Sequence, residues 1–151
     1  MEYGKVIDKL NEALKHEWTG VAQYAQAGFL VTGIWREVYS AKFLENAEES
    51  FGHAKLVGDK IVSLGGIPTC EREPIKQTHD LKEMLENALA FEMAAVRVYT
   101  EALAVAEGDR ALVVFLEDML KAEQEGVDEF VKIVRDLPQI AKEQERLHKA
   151  G

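Results

Sequence analysis

The sequence predicts an all-α fold, a four-helix bundle with one long crossover connection between its second and third helices. Four long segments place apolar residues at alternating steps of three and four, which is the spacing of a bundle seam. No segment shows the period-two alternation of a strand. Two of the three connections are short, whereas the middle one runs over residues 65–79 and contains two of the three prolines.

The first half of the chain predicts two helices, over about residues 3–31 and 36–64, joined by a short turn around Gly33. Each has one core-facing stripe, and both stripes contain polar residues near the middle. The stripes are Val6, Leu10, Leu14, Glu17, Val21, Tyr24, Gly28 and Val31 in the first helix, and Tyr39, Phe43, Asn46, Ser50, His53, Val57, Ile61 and Leu64 in the second.

The second half predicts two more helices. The third begins at about residue 80, where Thr78 or Asp80 can cap it and Glu83 can close a capping box. The fourth covers about residues 110–136 after a short turn. The predicted stripes are Leu81, Leu85, Ala88, Glu92, Ala95, Tyr99 and Leu103, then Leu112, Leu116, Met119, Glu123, Val127, Phe130, Val134 and Leu137.

The lengths of the connections predict the topology. Short turns join antiparallel neighbours, whereas the 15 residues of 65–79 reach at most ~50 Å when extended. A helix of ~27 residues is ~40 Å long, so this link can run the full length of the bundle as a crossover. We therefore expect one domain over residues 1–137, followed by a short C-terminal helix or solvated tail over 138–151.

Composition excludes several classes of protein. The 27 acidic residues exceed the 18 Lys and Arg, giving a formal net charge of −9, which argues against nucleic-acid binding. Cys70 is the only cysteine, so an intrachain disulfide and a cysteine-based zinc or iron–sulfur site are excluded.

Residues 18–35 are uncharged but amphipathic, which favours a buried helix over a membrane span. No signal-peptide pattern is apparent at the N-terminus, so we expect a cytoplasmic protein.

All four stripes carry polar groups near the same level, namely Glu17, His53, Glu92 and Glu123. Glutamates are rarely buried without partners, because an unpaired carboxylate loses its hydration. Three carboxylates meeting in a core would repel one another unless a cation or protons neutralise them. A divalent metal held by carboxylate and imidazole ligands is one solution. A protonated network bonded to His53, Ser50 and the tyrosines is the other.

Several segments resemble bacterioferritin, and the resemblance extends from about residue 3 to residue 137. They read EWTGVAQY at 17–24, EESFGHA at 48–54, LGGIP at 64–68, DLKEML at 80–85 and LAFE at 89–92. The resemblance implies a ferritin-like bundle with a crossover. It also implies a hollow shell of many subunits that stores iron, with Fe²⁺ oxidised at a di-iron site by oxygen or peroxide.

The di-iron site of that family takes a Glu from each of the first and third helices and a Glu-x-x-His from each of the second and fourth. By the resemblance, Glu17 and Glu92 match the two single glutamates. His53 matches the second-helix histidine, and Glu123 matches the fourth-helix glutamate. Four of the six ligands are therefore present.

Two ligand positions depart from the family pattern. Ser50 stands where the second helix carries its glutamate, and Gly126 stands where the fourth carries its histidine. Glu49, four residues before His53, remains a candidate metal ligand because that spacing shares a helix face. The family binds haem through a methionine at the position of Phe51, so haem is not expected here.

Two classes of function follow. One is an iron-handling protein that binds, oxidises or stores Fe²⁺ at an incomplete site, with Mn²⁺ and Zn²⁺ as other metals that suit its ligands. The other is a metal-free or single-metal structural assembly without ferroxidase activity. A rubrerythrin-like peroxidase fits less well, since no Cys-x-x-Cys is present. Tyr24 is the candidate catalytic residue, as an electron donor, or else a hydrogen-bond donor to a carboxylate.

The sequence also bears on the assembly of the protein. The resemblance, together with the apolar residues Phe29, Leu30 and Phe51 beside the core stripes, leads us to expect a homo-oligomer. Its contacts would use the outer faces of the first two helices, and a shell is the extreme form. The sequence predicts no partners for His16, His79 and His148.

Overall fold

The computed structural model describes residues 2–135 and 145–150. Four long helices make up the bundle: α1 (Gly4–Leu30), α2 (Arg36–Ser63), α3 (Leu81–Val105) and α4 (Arg110–Arg135). Within the described residues there is no strand, which confirms the predicted all-α fold. None of these helices is long and apolar enough to cross a membrane.

The ends of the helices follow from local chemistry. Asp80 caps α3 by accepting a hydrogen bond from the backbone N–H of Glu83, which confirms the predicted cap. The backbone N–H of Asp80 donates to the hydroxyl of Thr78, and this hydroxyl donates to the Glu83 carboxylate. Glu83 therefore closes the capping box through Thr78 and not directly. The turn between α1 and α2 contains Gly33 at φ 88°, and the turn between α3 and α4 contains Gly108 at φ 102°. Only glycine adopts this left-handed backbone without strain.

The long connection runs alongside α1 and is held there by polar side chains of that helix. Asn11 binds the backbone at Ile67 and Thr69, with distances of 3.1 and 2.9 Å. Further along, Thr19 accepts from the N–H of Glu73, and Gln23 accepts from the N–H of Lys76. Because the contacts advance in the same direction on both segments, the connection is parallel to α1 and carries the chain to the far end of the bundle.

The apolar core divides into two clusters along the bundle axis. One lies around Leu10, Leu14 and Leu116, and the other around Phe43, Leu85 and Phe130. The buried glutamates of α1, α3 and α4 occupy the level between them. The core is therefore interrupted at mid-height by a polar layer.

The predicted C-terminal segment, residues 138–151, lies partly outside the described residues. The predicted domain boundary after residue 137 also lies outside the described residues. Residues 145–150 are helical, and Lys149 and Glu145 lie 3.8 Å apart within them.

Candidate metal centre

Each helix contributes one charged side chain to the polar layer. Glu17 comes from α1, His53 from α2, Glu92 from α3 and Glu123 from α4. The three glutamates are buried, and His53 is largely buried. The structure therefore places the four polar side chains of the predicted stripes within one layer of the core.

Three of these side chains face one another closely. Nδ1 of His53 lies 2.9 Å from Oε1 of Glu123 and 3.5 Å from Oε1 of Glu17. One ligand atom from each residue lies within 4.8 Å of the others. Two carboxylate oxygens and an imidazole nitrogen are donors that Fe²⁺, Mn²⁺ and Zn²⁺ all accept, so the residues present fit one such ion.

Two tyrosines bind the buried glutamates in a crossed pattern. The hydroxyl of Tyr24 on α1 donates to Oε1 of Glu92 on α3, at 2.6 Å. The hydroxyl of Tyr99 on α3 donates to Oε1 of Glu17 on α1, at 3.0 Å. Tyr99 was expected only among the tyrosines of a protonated network, although it follows Glu92 by the same seven residues that separate Tyr24 from Glu17. That repeat was the available signal.

Burial and mutual proximity change the protonation of the layer. Burial raises the pKa of Glu92 to about 8, with a further contribution from Glu123 and against the hydrogen bond from Tyr24. Burial lowers the pKa of His53, but its hydrogen bonds to Glu123 and Glu17 outweigh this effect and raise the pKa to about 10. Without a metal at neutral pH, Glu92 is therefore protonated and His53 is a cation.

Glu123 lies between these two groups. Burial raises its pKa to about 7, against the hydrogen bond from His53 and with help from the negative charge of Glu17. Protons on these side chains thus balance the charge of the layer when no metal ion is bound. A divalent ion would replace those protons, because metal ligands bind in their deprotonated forms.

Neighbouring groups approach closely at both departures from the six-ligand pattern. Gly126 has no side chain, and a Cβ placed there would lie 2.9 Å from Oε2 of Glu92. Ser50 packs against α1, where a Cβ on Gly20 would lie 2.5 Å from its Oγ. Beside them is a cavity of about 220 Å³ whose wall includes both Ser50 and Gly126.

Glu49 does not belong to the group formed by Glu17, His53 and Glu123. Its side chain is exposed at the mouth of the cavity, where Oε2 lies 3.5 Å from Nδ2 of Asn46. Its negative charge contributes to raising the pKa of Glu92. Glu49 therefore lies outside the group of Glu17, His53 and Glu123, although it lines the cavity beside that group.

The prediction that His16 lacks a partner is wrong. Its Nε2 lies 2.9 Å from the backbone oxygen of Phe91, and its ring stacks on the Phe91 ring with centroids 3.9 Å apart. Burial lowers the pKa of His16, so it is a neutral packing residue between α1 and α3.

The family model for the ferritin-like domain (Ferritin) matches residues 7–140. The chain belongs to the ferritin-like family. A bacterioferritin from Rhodobacter capsulatus is 35% identical to this ferritin-like chain over 100 residues, which is 65% of this chain and 62% of that protein. The match thus spans less than two thirds of the relative's length.

A solved structure gives a longer match. It is described as a ferritin-like, diiron-carboxylate protein from Bacillus anthracis str. Ames. The TM-score is 0.84 at 32% identity, and the superposition covers 89% of this ferritin-like chain and 98% of the other. The ferritin-like bundle expected from the sequence is thereby confirmed.

Proposed function

We propose that this ferritin-like protein binds one divalent metal ion tightly, iron foremost, through Glu17, His53 and Glu123. One observation carries the proposal: a ligand atom from each of the three side chains lies within 4.8 Å of the others in the interior of the bundle. Membership of the ferritin-like family and the diiron-carboxylate relative support iron as the metal. Mn²⁺ and Zn²⁺ suit the same donors.

The proposed activity is the handling of Fe²⁺ as a substrate, by binding, slow oxidation or storage. Each Fe²⁺ that is oxidised loses one electron to oxygen or peroxide, and the carboxylates of Glu17 and Glu123 stabilise the added positive charge of Fe³⁺. Ser50 supplies no bridging carboxylate and Gly126 no imidazole. We therefore propose that oxidation is impaired relative to a complete di-iron site, because two ions cannot share a bridged position.

A second candidate function is a structural ferritin-like assembly without ferroxidase activity, with no metal or a single one. The observation that favours it is that each buried carboxylate has a hydrogen-bond partner. Tyr24 donates to Glu92, Tyr99 donates to Glu17, and His53 pairs with Glu123. Protons and these donors neutralise the layer without a cation. In both cases we propose a cytoplasmic homo-oligomer.

Anaerobic titration with Fe²⁺, followed by mixing with oxygen, tests the proposal. We expect one tight equivalent per subunit and slow oxidation. The tight equivalent should disappear in His53→Ala and persist in His79→Ala, a matched control whose side chain is exposed on the crossover. No binding in the native protein, together with a melting temperature that metal leaves unchanged, would favour the structural alternative.

A further inference from the structure

A cleft lies between α1, α3 and the long connection, and no residue of its wall belongs to the candidate metal centre. Its volume is about 330 Å³, which lies within the range of cavities that hold small ligands. The cavity beside the metal centre is a different space, lined mainly by α2 and α4. The groups on the wall of the cleft therefore decide what it can hold.

Gln23 of α1 brings an unpaired amide nitrogen to this cleft. Only 9% of the residue is exposed, and its Oε1 accepts from the backbone N–H of Lys76 at 3.0 Å. That bond fixes the orientation of the amide, because a backbone N–H can only donate. Nε2 therefore keeps two N–H groups that no described residue accepts, and it is not sealed from solvent as Oδ1 of Asn46 is. Buried donors nearly always have a partner, so Nε2 indicates an acceptor that enters the cleft from outside.

Asn87 of α3 brings a second free amide to the same space. It is half-buried, and its side chain forms no hydrogen bond within the described part of the chain. Gln23 and Asn87 line both the cleft and a smaller pocket next to it. Two amides from opposite helices thus meet where the cleft is deepest.

The uncompensated charge of the cleft is positive. Arg97 of α3 and Lys76 of the long connection line the wall and form no ion pair with any described residue. Among the described residues of the wall, Glu73 supplies the one carboxylate, and Lys15 pairs with it at 3.0 Å. In a chain of net charge −9, this local excess of cations favours an anion in the cleft.

The rest of the wall limits the kind of anion. Pro74, Ala90 and Ala94 supply apolar groups. The stacked rings of His16 and Phe91 add to them. A guanidinium and amide N–H groups match the two oxygens of a carboxylate, whereas the apolar groups suit a short hydrocarbon body. Inorganic phosphate would leave the apolar part of the wall uncovered.

We propose that this cleft binds a small aliphatic carboxylate. Arg97, Gln23 and Asn87 bind its carboxyl group, and the apolar part of the wall covers its hydrocarbon body. The site does not depend on the proposed function, because none of these residues is a candidate metal ligand.

Isothermal titration calorimetry of the metal-free full-length protein with sodium butyrate tests the proposal. We expect one butyrate per subunit, no measurable binding of the uncharged butyramide, and weaker binding of inorganic phosphate. Arg97→Gln should weaken butyrate binding by about tenfold or more, which is the loss expected for a charge-assisted hydrogen bond. Gln23→Glu keeps the acceptor for the N–H of Lys76 and should abolish binding, because its second oxygen repels the carboxylate.

Arg110→Gln is the matched control, because it removes the same charge from an exposed arginine of α4 outside the cleft. It should leave butyrate binding unchanged. No butyrate binding by the native protein, or equal binding by Arg97→Gln, overturns the site. Phosphate binding as tight as that of butyrate overturns the assignment to a carboxylate. Because Arg97 is exposed, its variant keeps the fold even if Gln23→Glu does not.

Discussion

Gly126 of α4 stands directly against Glu92 of α3: a Cβ on Gly126 would lie 2.9 Å from Oε2 and 3.0 Å from Cδ of that glutamate. The Glu92 carboxyl group thus occupies the space that a side chain at position 126 of α4 would otherwise fill. Its other oxygen is fixed by Tyr24 at 2.6 Å. The absence of a side chain at Gly126 and the position of Glu92 are therefore parts of one arrangement.

Restoring the missing ligands should restore a second tight iron. We expect Ser50→Glu combined with Gly126→His to bind two tight equivalents of Fe²⁺ per subunit and to oxidise them faster than the native protein. The reason is that the pair supplies a bridging carboxylate and an imidazole, and Glu92 has only to shift its flexible end to admit the new side chain. Anaerobic titration and stopped-flow oxidation measure both effects.

Gly126→Ala is the control for that variant, since it adds the Cβ without the imidazole and should leave stoichiometry and rate unchanged. A double variant that keeps the native circular dichroism and melting temperature, yet still binds one tight equivalent, would contradict the argument.

The tyrosine that holds Glu92 should contribute measurably to stability. Tyr24→Phe leaves Oε1 of Glu92 buried without its donor, which costs about 1–3 kcal/mol. Tyr99→Phe is the matched variant, because it removes the equivalent bond to Glu17, and we expect a loss of similar size. Urea denaturation of the metal-free proteins measures both, and unchanged midpoints would contradict the assignment of these bonds as stabilising.

The same pair of variants tests the catalytic role predicted for Tyr24. If Tyr24 donates an electron, Tyr24→Phe should slow the oxidation of Fe²⁺ while Fe²⁺ binding stays intact, and Tyr99→Phe should not. Equal rates in the two variants would leave Tyr24 with the role of hydrogen-bond donor alone.

The metal-free protein should lose stability as pH rises. The folded-state pKa values of Glu92 and Glu123 are raised from 4.5 to about 8 and about 7, and that of His53 from 6.5 to about 10. In each case the folded state binds the proton more tightly than the unfolded chain, so the stabilisation is complete below the unfolded pKa and lost as pH passes the folded one. The free energy of unfolding should fall between about pH 4.5 and about pH 10.

Glu92→Gln isolates one contribution to that slope. It cannot ionise, so the fall between pH 4.5 and about 8 should flatten in this variant, whereas Glu45→Gln on the exposed face of α2 should keep the native slope. This comparison separates the buried layer from the general repulsion of a chain with net charge −9. A native slope in Glu92→Gln would show that the buried layer does not set the pH dependence.

The outer face of α1 and α2 should be an interface between copies of the chain. Phe29 is 69% exposed and Phe51 is 45% exposed, and apolar surface of this kind favours association. We expect an oligomer by light scattering and a smaller species for Phe51→Asp. Val114→Asp changes an exposed apolar residue of α4 and should leave the size unchanged. A native monomer across a wide concentration range would contradict the prediction.

Most of the fold could be predicted because it depends on features that lie close together in the sequence. The predicted helices over 3–31 and 36–64 correspond to Gly4–Leu30 and Arg36–Ser63, since helical period, turns and capping residues are local. The long link was recognisable from its length and prolines. The stripe positions of Glu17, His53, Glu92 and Glu123 also placed them at one level, because rise per residue along a helix is constant.

Only the tertiary structure decided which of those groups touch. A stripe gives the face of a helix but not its rotation or offset against a helix distant in sequence. It was therefore the packing of α1 on α3 that paired Tyr24 with Glu92, Tyr99 with Glu17, and His16 with Phe91. The same holds for Asn46, which the stripe marked as core-facing. Whether its amide oxygen finds a partner depends on the packing of the neighbouring helices, and within the described residues it finds none.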